Sequence, residues 1–185
     1  MVEKRIVMPA SVGVLAIALT VLASAQSAPN SRVSAAPPLS KAVAAELLKA
    51  HNVFRQEVRV APLTWSEALA KDARSWADHL ASLGGRQLMH AQQSDQGENL
   101  WLGTAGAFRY TQMVNAWGGE KQYFKAGTFP NVSTTGTWSD VGHYTQVVWR
   151  GTTQVGCAKA TAGGNDILVC RYSPPGNFVG RSPFE

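Results

Sequence analysis

Two runs of β-branched and apolar residues, 155–160 and 167–172, are separated by Thr161-Ala-Gly-Gly-Asn165. A Gly-Gly pair supplies the positive φ angles of a tight reversal, so this spacing predicts an antiparallel hairpin. Each arm carries one of the chain's two cysteines, Cys157 and Cys170. The N-terminal half has a different rhythm. Over residues 40–58, Val43, Leu47, Phe54 and Val58 recur near the helical period, with Leu48 and His51 beside them. Ser66 is a candidate N-cap for a second helix whose stripe is Leu69, Ala73, Trp76, Leu80 and Leu83, closed by Gly84 and Gly85. Helices first and strands last predict an α+β fold, with helices covering an antiparallel sheet.

Between these blocks, residues 99–102 read as a short buried strand, and Thr104 as the cap of a third helix running to about Phe124. Its inner face would hold Met113, Val114 and Trp117. Glu120 follows Trp117 by nearly one helical turn, so its carboxylate is expected on the same inward stripe. Residues 127–139 form a polar loop, 144–149 read as a strand, and the Pro- and Gly-containing segment 173–185 is expected to wrap the surface.

The first residues read as an export signal: Lys4 and Arg5, an apolar run over 6–22, then Ala23-Ser24-Ala25. Cleavage is expected after Ala25, with residues 26–39 as a flexible linker and 40–185 as one domain. No stable membrane span would remain. The formal charge of +5 falls by one on removal of the leader, and the basic residues are scattered singly (Lys41, Lys49, Arg55, Arg59, Lys71, Arg74). Nucleic acid is therefore not an expected partner. In an oxidising compartment the two cysteines are expected to form one disulfide.

The sequence contains no HExxH, GxSxG, CxxC or phosphate-cradling glycine loop. It does contain a dispersed set of His90, Glu98, Glu120 and His143, each beside an apolar or aromatic segment. Two imidazoles and two carboxylates in one cleft would either bond one another or leave the histidines to ligate a divalent metal. Spacing alone does not bring them together.

The stretch GHYTQVVWRGT (Gly142 to Thr152) and the stretch CRYSPPGN (Cys170 to Asn177) resemble the two signature motifs of the CAP family: cysteine-rich secretory proteins, antigen 5 and pathogenesis-related 1. The resemblance extends to Ala50-His51-Asn52, Pro62-Leu63-Thr64-Trp65, Gly97-Glu98-Asn99-Leu100 and Gly156-Cys157-Ala158, and its motifs are closest to the plant pathogenesis-related 1 members. It implies a three-layer α-β-α sandwich with a central, mainly antiparallel sheet and a cleft lined by His90, Glu98, Glu120 and His143. It also implies zinc or a similar divalent ion on His90 and His143, with the two acids as hydrogen-bonding partners. His51 is expected to be a satisfied core histidine, Asn99 and Gln146 to bond backbone or cleft groups, and Tyr144 to line the cleft. Trp65, Trp76, Trp117 and Trp149 are read as core. The chain has two cysteines where plant members usually carry six, and it lacks the cysteine-rich extension of the animal members.

Three functions follow as expectations. One is a secreted, monomeric interaction module, extracellular or, in a bacterium, periplasmic, acting on a wall or surface partner. Another is a sterol or lipid binder using Tyr123, Phe124 and Phe129 in the loop 122–138. The alternative is a metal-assisted hydrolase with Glu98 or Glu120 as general base, and the residues name no catalytic nucleophile for it.

Overall fold

The computed structural model describes residues 37–92 and 95–185. The expected leader and most of the expected linker lie outside the described residues. Helix α1 (Lys41–Glu57) and helix α2 (Glu67–Ser82) start as the serines predict: Ser40 Oγ accepts from Val43 N–H and Ser66 Oγ from Leu69 N–H, each at 3.3 Å. Strand β1 (Thr64–Trp65) lies between them, followed after α2 by β2 (Gly97–Thr104), α3 (Tyr110–Gly119), α4 (Gly142–Val148), β3 (Gln154–Ala162) and β4 (Asn165–Ser173). Short 3-10 turns occupy Glu120–Tyr123 and Trp138–Asp140. The sheet order is β1-β3-β4-β2, antiparallel except for the parallel β1–β3 pair.

Strand alternation assigns each face its own helices. Ile167 and Val169 of β4, with Ala158 and Ala160 of β3 and Leu100 of β2, pack against Ala73, Ala77, Leu80 and Ala81 of α2. Leu168, Cys170 and Tyr172, with Val155 and Cys157, point the other way, into Leu47, Phe54, Met113, Trp117 and Val147 from α1, α3 and α4. The result is the α-β-α sandwich. The hairpin register places Cys157 opposite Cys170, and the two are joined by a disulfide.

Small residues let α2 approach the sheet closely. A Cβ built on Gly156 would collide with the Ala70 amide nitrogen and the Ser66 carbonyl oxygen, both backbone atoms at the start of α2. Neither can rotate away. Gly156→Ala is expected to destabilise the domain by about 1–3 kcal/mol, the usual range for overpacking, measured as a lower urea midpoint at unchanged slope. A midpoint equal to wild type would show that α2 can shift outward at little cost.

Three local expectations are corrected. Thr104 does not cap a helix; it is the last residue of β2, paired with Asn165, and the strand runs eight residues rather than four. Helix α3 begins after Arg109, whose N–H is taken by Gln112 Oε1 at 2.8 Å, and ends at Gly119, so Glu120 lies just beyond it. The run 144–149, read as a strand from its β-branched residues, lies largely in α4. This helix is buried on almost every side, so its sequence shows no amphipathic period. Side chains from elsewhere hold its ends. The Glu120 carboxylate accepts the His143 and Tyr144 amides, both at 3.0 Å, and Arg55 donates to Val147 O and Trp149 O, both at 2.9 Å. An anion at the start and a cation at the end complement the helix dipole and override local propensity.

Candidate functional site

His143 occupies the first turn of α4, close to the cap that Glu120 provides. While Oε2 of Glu120 takes the two amides, Oε1 lies 2.6 Å from His143 Nδ1. An ionised carboxylate only accepts, so Nδ1–H is the donor, and in the neutral ring it is Nε2 that carries the lone pair. The ring lies nearly parallel to Trp117, with centroids 6.1 Å apart, and Trp117 is itself held by its Nε1–H bond to Leu100 O. Glu120 thus has two jobs, starting α4 and orienting its histidine. This accounts for the inward acid noted in the sequence.

His90 follows α2 in a stretch without regular structure, and Glu98 projects from β2. Glu98 Oε1 accepts from His90 Nδ1–H at 2.6 Å and from Ala91 N–H at 3.1 Å. The imidazole side chains are 64% exposed for His90 and 33% for His143, so both rings are reached by solvent.

His90, Glu98 and His143 line one cavity of about 400 Å³ with Asn99, Phe129, Trp138, Ser139, Gly142 and Asn177. Glu120 is not on that lining; it reaches the site through the ring it orients. The four dispersed residues therefore meet as two His–Glu pairs facing one cleft. Each ring has its Nδ1 engaged, and Nε2 has no hydrogen-bond partner among the described residues. In the neutral ring that is the tautomer that ligation through Nε2 requires. Among the described residues no three His, Cys, Asp or Glu side chains converge as ligands. The donor set thus fits an open site in which two nitrogens share the ion with water, not a closed structural one.

Asn99 is buried and donates to His143 O at 3.1 Å and to the Tyr172 hydroxyl at 3.2 Å. His51 is a satisfied core histidine: its ring bonds Leu47 O and the Tyr172 hydroxyl, both at 2.8 Å. Gln146 donates to Thr152 Oγ1 and accepts from Gly176 N–H, tying α4 to the C-terminal segment. Trp117 and Trp149 are core, while Trp65 and Trp76 are only partly buried at its edges. Tyr144 does not line the cleft; it is buried in the core, edge-on to Phe124.

The loop aromatics diverge. Phe129 is buried beside Val132, Val141 and Trp149 and is among the residues lining the cavity. Phe124 is half-buried against Tyr144 and Phe184, and only Tyr123 is exposed. Sequence reasoning missed Trp138, Ser139 and Asn177 on the lining, and Arg171, whose guanidinium meets Glu98 Oε2 at 2.9 Å. A cation inside an otherwise apolar strand was the available signal for Arg171.

The cysteine-rich secretory protein (CAP) family model matches residues 48–172. A PR-1-type pathogenesis-related protein of Sambucus nigra is 36% identical over 140 residues, covering 75% of this chain and 80% of the relative. Pathogenesis-related protein 1C of Nicotiana tabacum is 39% identical over the same length, covering 75% and 79%. Among solved structures, NaASP2 with Zn2+ superposes with a TM-score of 0.67 at 24% identity, covering 80% of this chain and 87% of that one. BmVAL-1 superposes with a TM-score of 0.65 at 23% identity, covering 80% and 84%. These structural likenesses bear on the fold. No helix among the described residues is long and apolar enough to cross a membrane.

Proposed function

Because this chain belongs to the CAP family, we propose that it is an extracellular binding module, exported by its N-terminal leader, whose cleft takes a divalent cation on His90 Nε2 and His143 Nε2. The observation that carries the reading is the pair of 2.6 Å Nδ1–H contacts to carboxylates, which leave both Nε2 lone pairs unspent beside one cavity. A metal-binding imidazole commonly donates its other nitrogen in this way, which fixes the ring and raises its basicity. Zinc fits nitrogen donors well, and a two-nitrogen site would hold it reversibly. NaASP2, of like fold, has been solved with Zn2+.

The same geometry favours binding over hydrolysis. A general base needs a carboxylate oxygen turned toward cleft water. Glu98 uses Oε1 for His90 and the Ala91 amide and Oε2 for Arg171, while Glu120 uses Oε1 for His143 and Oε2 for two amides. Three of the four oxygens are hydrogen-bonded, and the fourth, Glu98 Oε2, is buried against the Arg171 guanidinium. A sterol or lipid reading drawn from Tyr123, Phe124 and Phe129 gains little, since Tyr123 alone of the three is exposed. The remaining role is recognition of a wall or surface partner through the cleft and its rim.

Zinc titration calorimetry tests the proposal. Wild type should bind one Zn2+ per chain, and His143→Ala or His90→Ala should each weaken binding at least about tenfold. Equal affinity in His143→Ala and wild type would sink the cation reading.

A further inference from the structure

His90 stands in a stretch without regular structure, residues 87–91, and its ring is fixed at one point among the described residues, the Nδ1–H bond to Glu98. Oε1 of Glu98 also accepts from Ala91 N–H, so what fixes Oε2 decides how the carboxylate faces the ring. In the sheet register Glu98 of β2 lies directly opposite Arg171 of β4. The two side chains are only 7% and 6% exposed, and Arg171 Nη2 stands 2.9 Å from Glu98 Oε2. That contact is close without being aligned as a hydrogen bond. The charge of the guanidinium, more than its fork geometry, does the holding, and at this burial salt screens it little. The other arm needs no such device, because His143 rides on α4 and Glu120 is gripped by two α4 amides.

We infer that Arg171 is the positioning residue for the His90 arm of the cleft. Its charge fixes Oε2 of Glu98, which leaves Oε1 facing Nδ1 and keeps the Nε2 lone pair of His90 directed at the cleft. Arg171 lies outside the cavity lining. The consequence for metal affinity rests on the cation reading; the consequence for the ring does not.

The test uses the imidazole nitrogens in the metal-free protein, followed by long-range 15N–1H NMR above the imidazole titration range. Wild type should show His90 as a single Nδ1–H tautomer, Arg171→Met a mixture of both tautomers, and Arg171→Lys, which restores a charge without the fork, the wild-type pattern. The His143 signal should not change in any variant, and circular dichroism reports the fold. If Arg171→Met does not fold, the polar but uncharged Arg171→Gln carries the same comparison. Calorimetry with Zn2+ alone should show affinity about tenfold lower in the uncharged variant, with most of the loss recovered by lysine. An arginine that merely tied β2 to β4 would lower the unfolding midpoint on removal and leave the His90 tautomer as in wild type, and that result overturns the inference. A wild-type protein that takes up no Zn2+ would overturn the cation reading, and the tautomer comparison would still decide the role of Arg171.

Discussion

Replacing Arg55 by methionine should destabilise the domain by about 3–5 kcal/mol, because each buried carbonyl left without a donor costs about 1–3 kcal/mol and water can reach only some of them. The side chain is fully buried on α1 and donates to four carbonyls: Ala61 O at 2.7 Å, then Val147 O, Trp149 O and Thr152 O, each at 2.9 Å. No carboxylate pairs with it among the described residues. Burial lowers the pKa of the Arg55 guanidinium to about 10, so it stays charged at neutral pH, and its counter-charge is the negative end of the α4 dipole. One guanidinium thus joins α1, the turn before β1, the end of α4 and the approach to β3. Methionine keeps an unbranched apolar stem and similar helix propensity, so most of the loss reports the missing donors. Arg55→Lys has three donors on a compact head and cannot span the same acceptors, so it should recover less than half of the loss. Urea unfolding of the three proteins is the measurement. A loss below about 1 kcal/mol for methionine would show that water satisfies the carbonyls instead.

That arginine is also where the sequence was hardest to read. Among singly scattered basic residues Arg55 looks like any solvated charge, and only the fold reveals four carbonyls converging on it. The elements whose cause is local were legible: Ser40 and Ser66 cap their helices, and Gly163 and Gly164 turn the hairpin with positive φ. Helix α4 was not, since Tyr144-Thr-Gln-Val-Val has strand propensity and the charges that make it a helix, Glu120 and Arg55, lie far away in the chain. The site divided the same way. Motifs named His90, Glu98, Glu120 and His143, but which acid serves which histidine depends on where β2 and the end of α3 stand. Arg171 was hidden because its role exists only through the register that sets it opposite Glu98.

Acid should weaken this fold through His51, over a window set by one buried ring. His51 is fully buried in α1, between Trp117 and Tyr172, and its pKa is lowered from 6.5 to about 4. Burial is the main cause; the bond to Leu47 O acts against it and the nearby Arg55 charge adds to it. The neutral ring has one consistent arrangement: Nδ1–H donates to Leu47 O, and Nε2 accepts from the Tyr172 hydroxyl. Burial raises Tyr172 well above its ordinary range, so that hydroxyl keeps its proton to give. Because the unfolded chain takes up a proton near pH 6.5 and the folded one does not until about 4, the unfolded state binds more protons between those values. The contribution of His51 is therefore complete above pH 6.5, declines as pH falls toward 4, and is lost by about 3 kcal/mol once both states are protonated. His51→Gln cannot titrate. It should be less stable than wild type at pH 7, yet the difference between the two should shrink by about 3 kcal/mol as urea unfolding is repeated down to pH 4, since the carboxylates and the other histidines titrate alike in both. Parallel stability curves across that range would mean that the folded state admits the proton, and that the chain from Leu47 through His51 and Tyr172 to Asn99 does not hold the ring neutral.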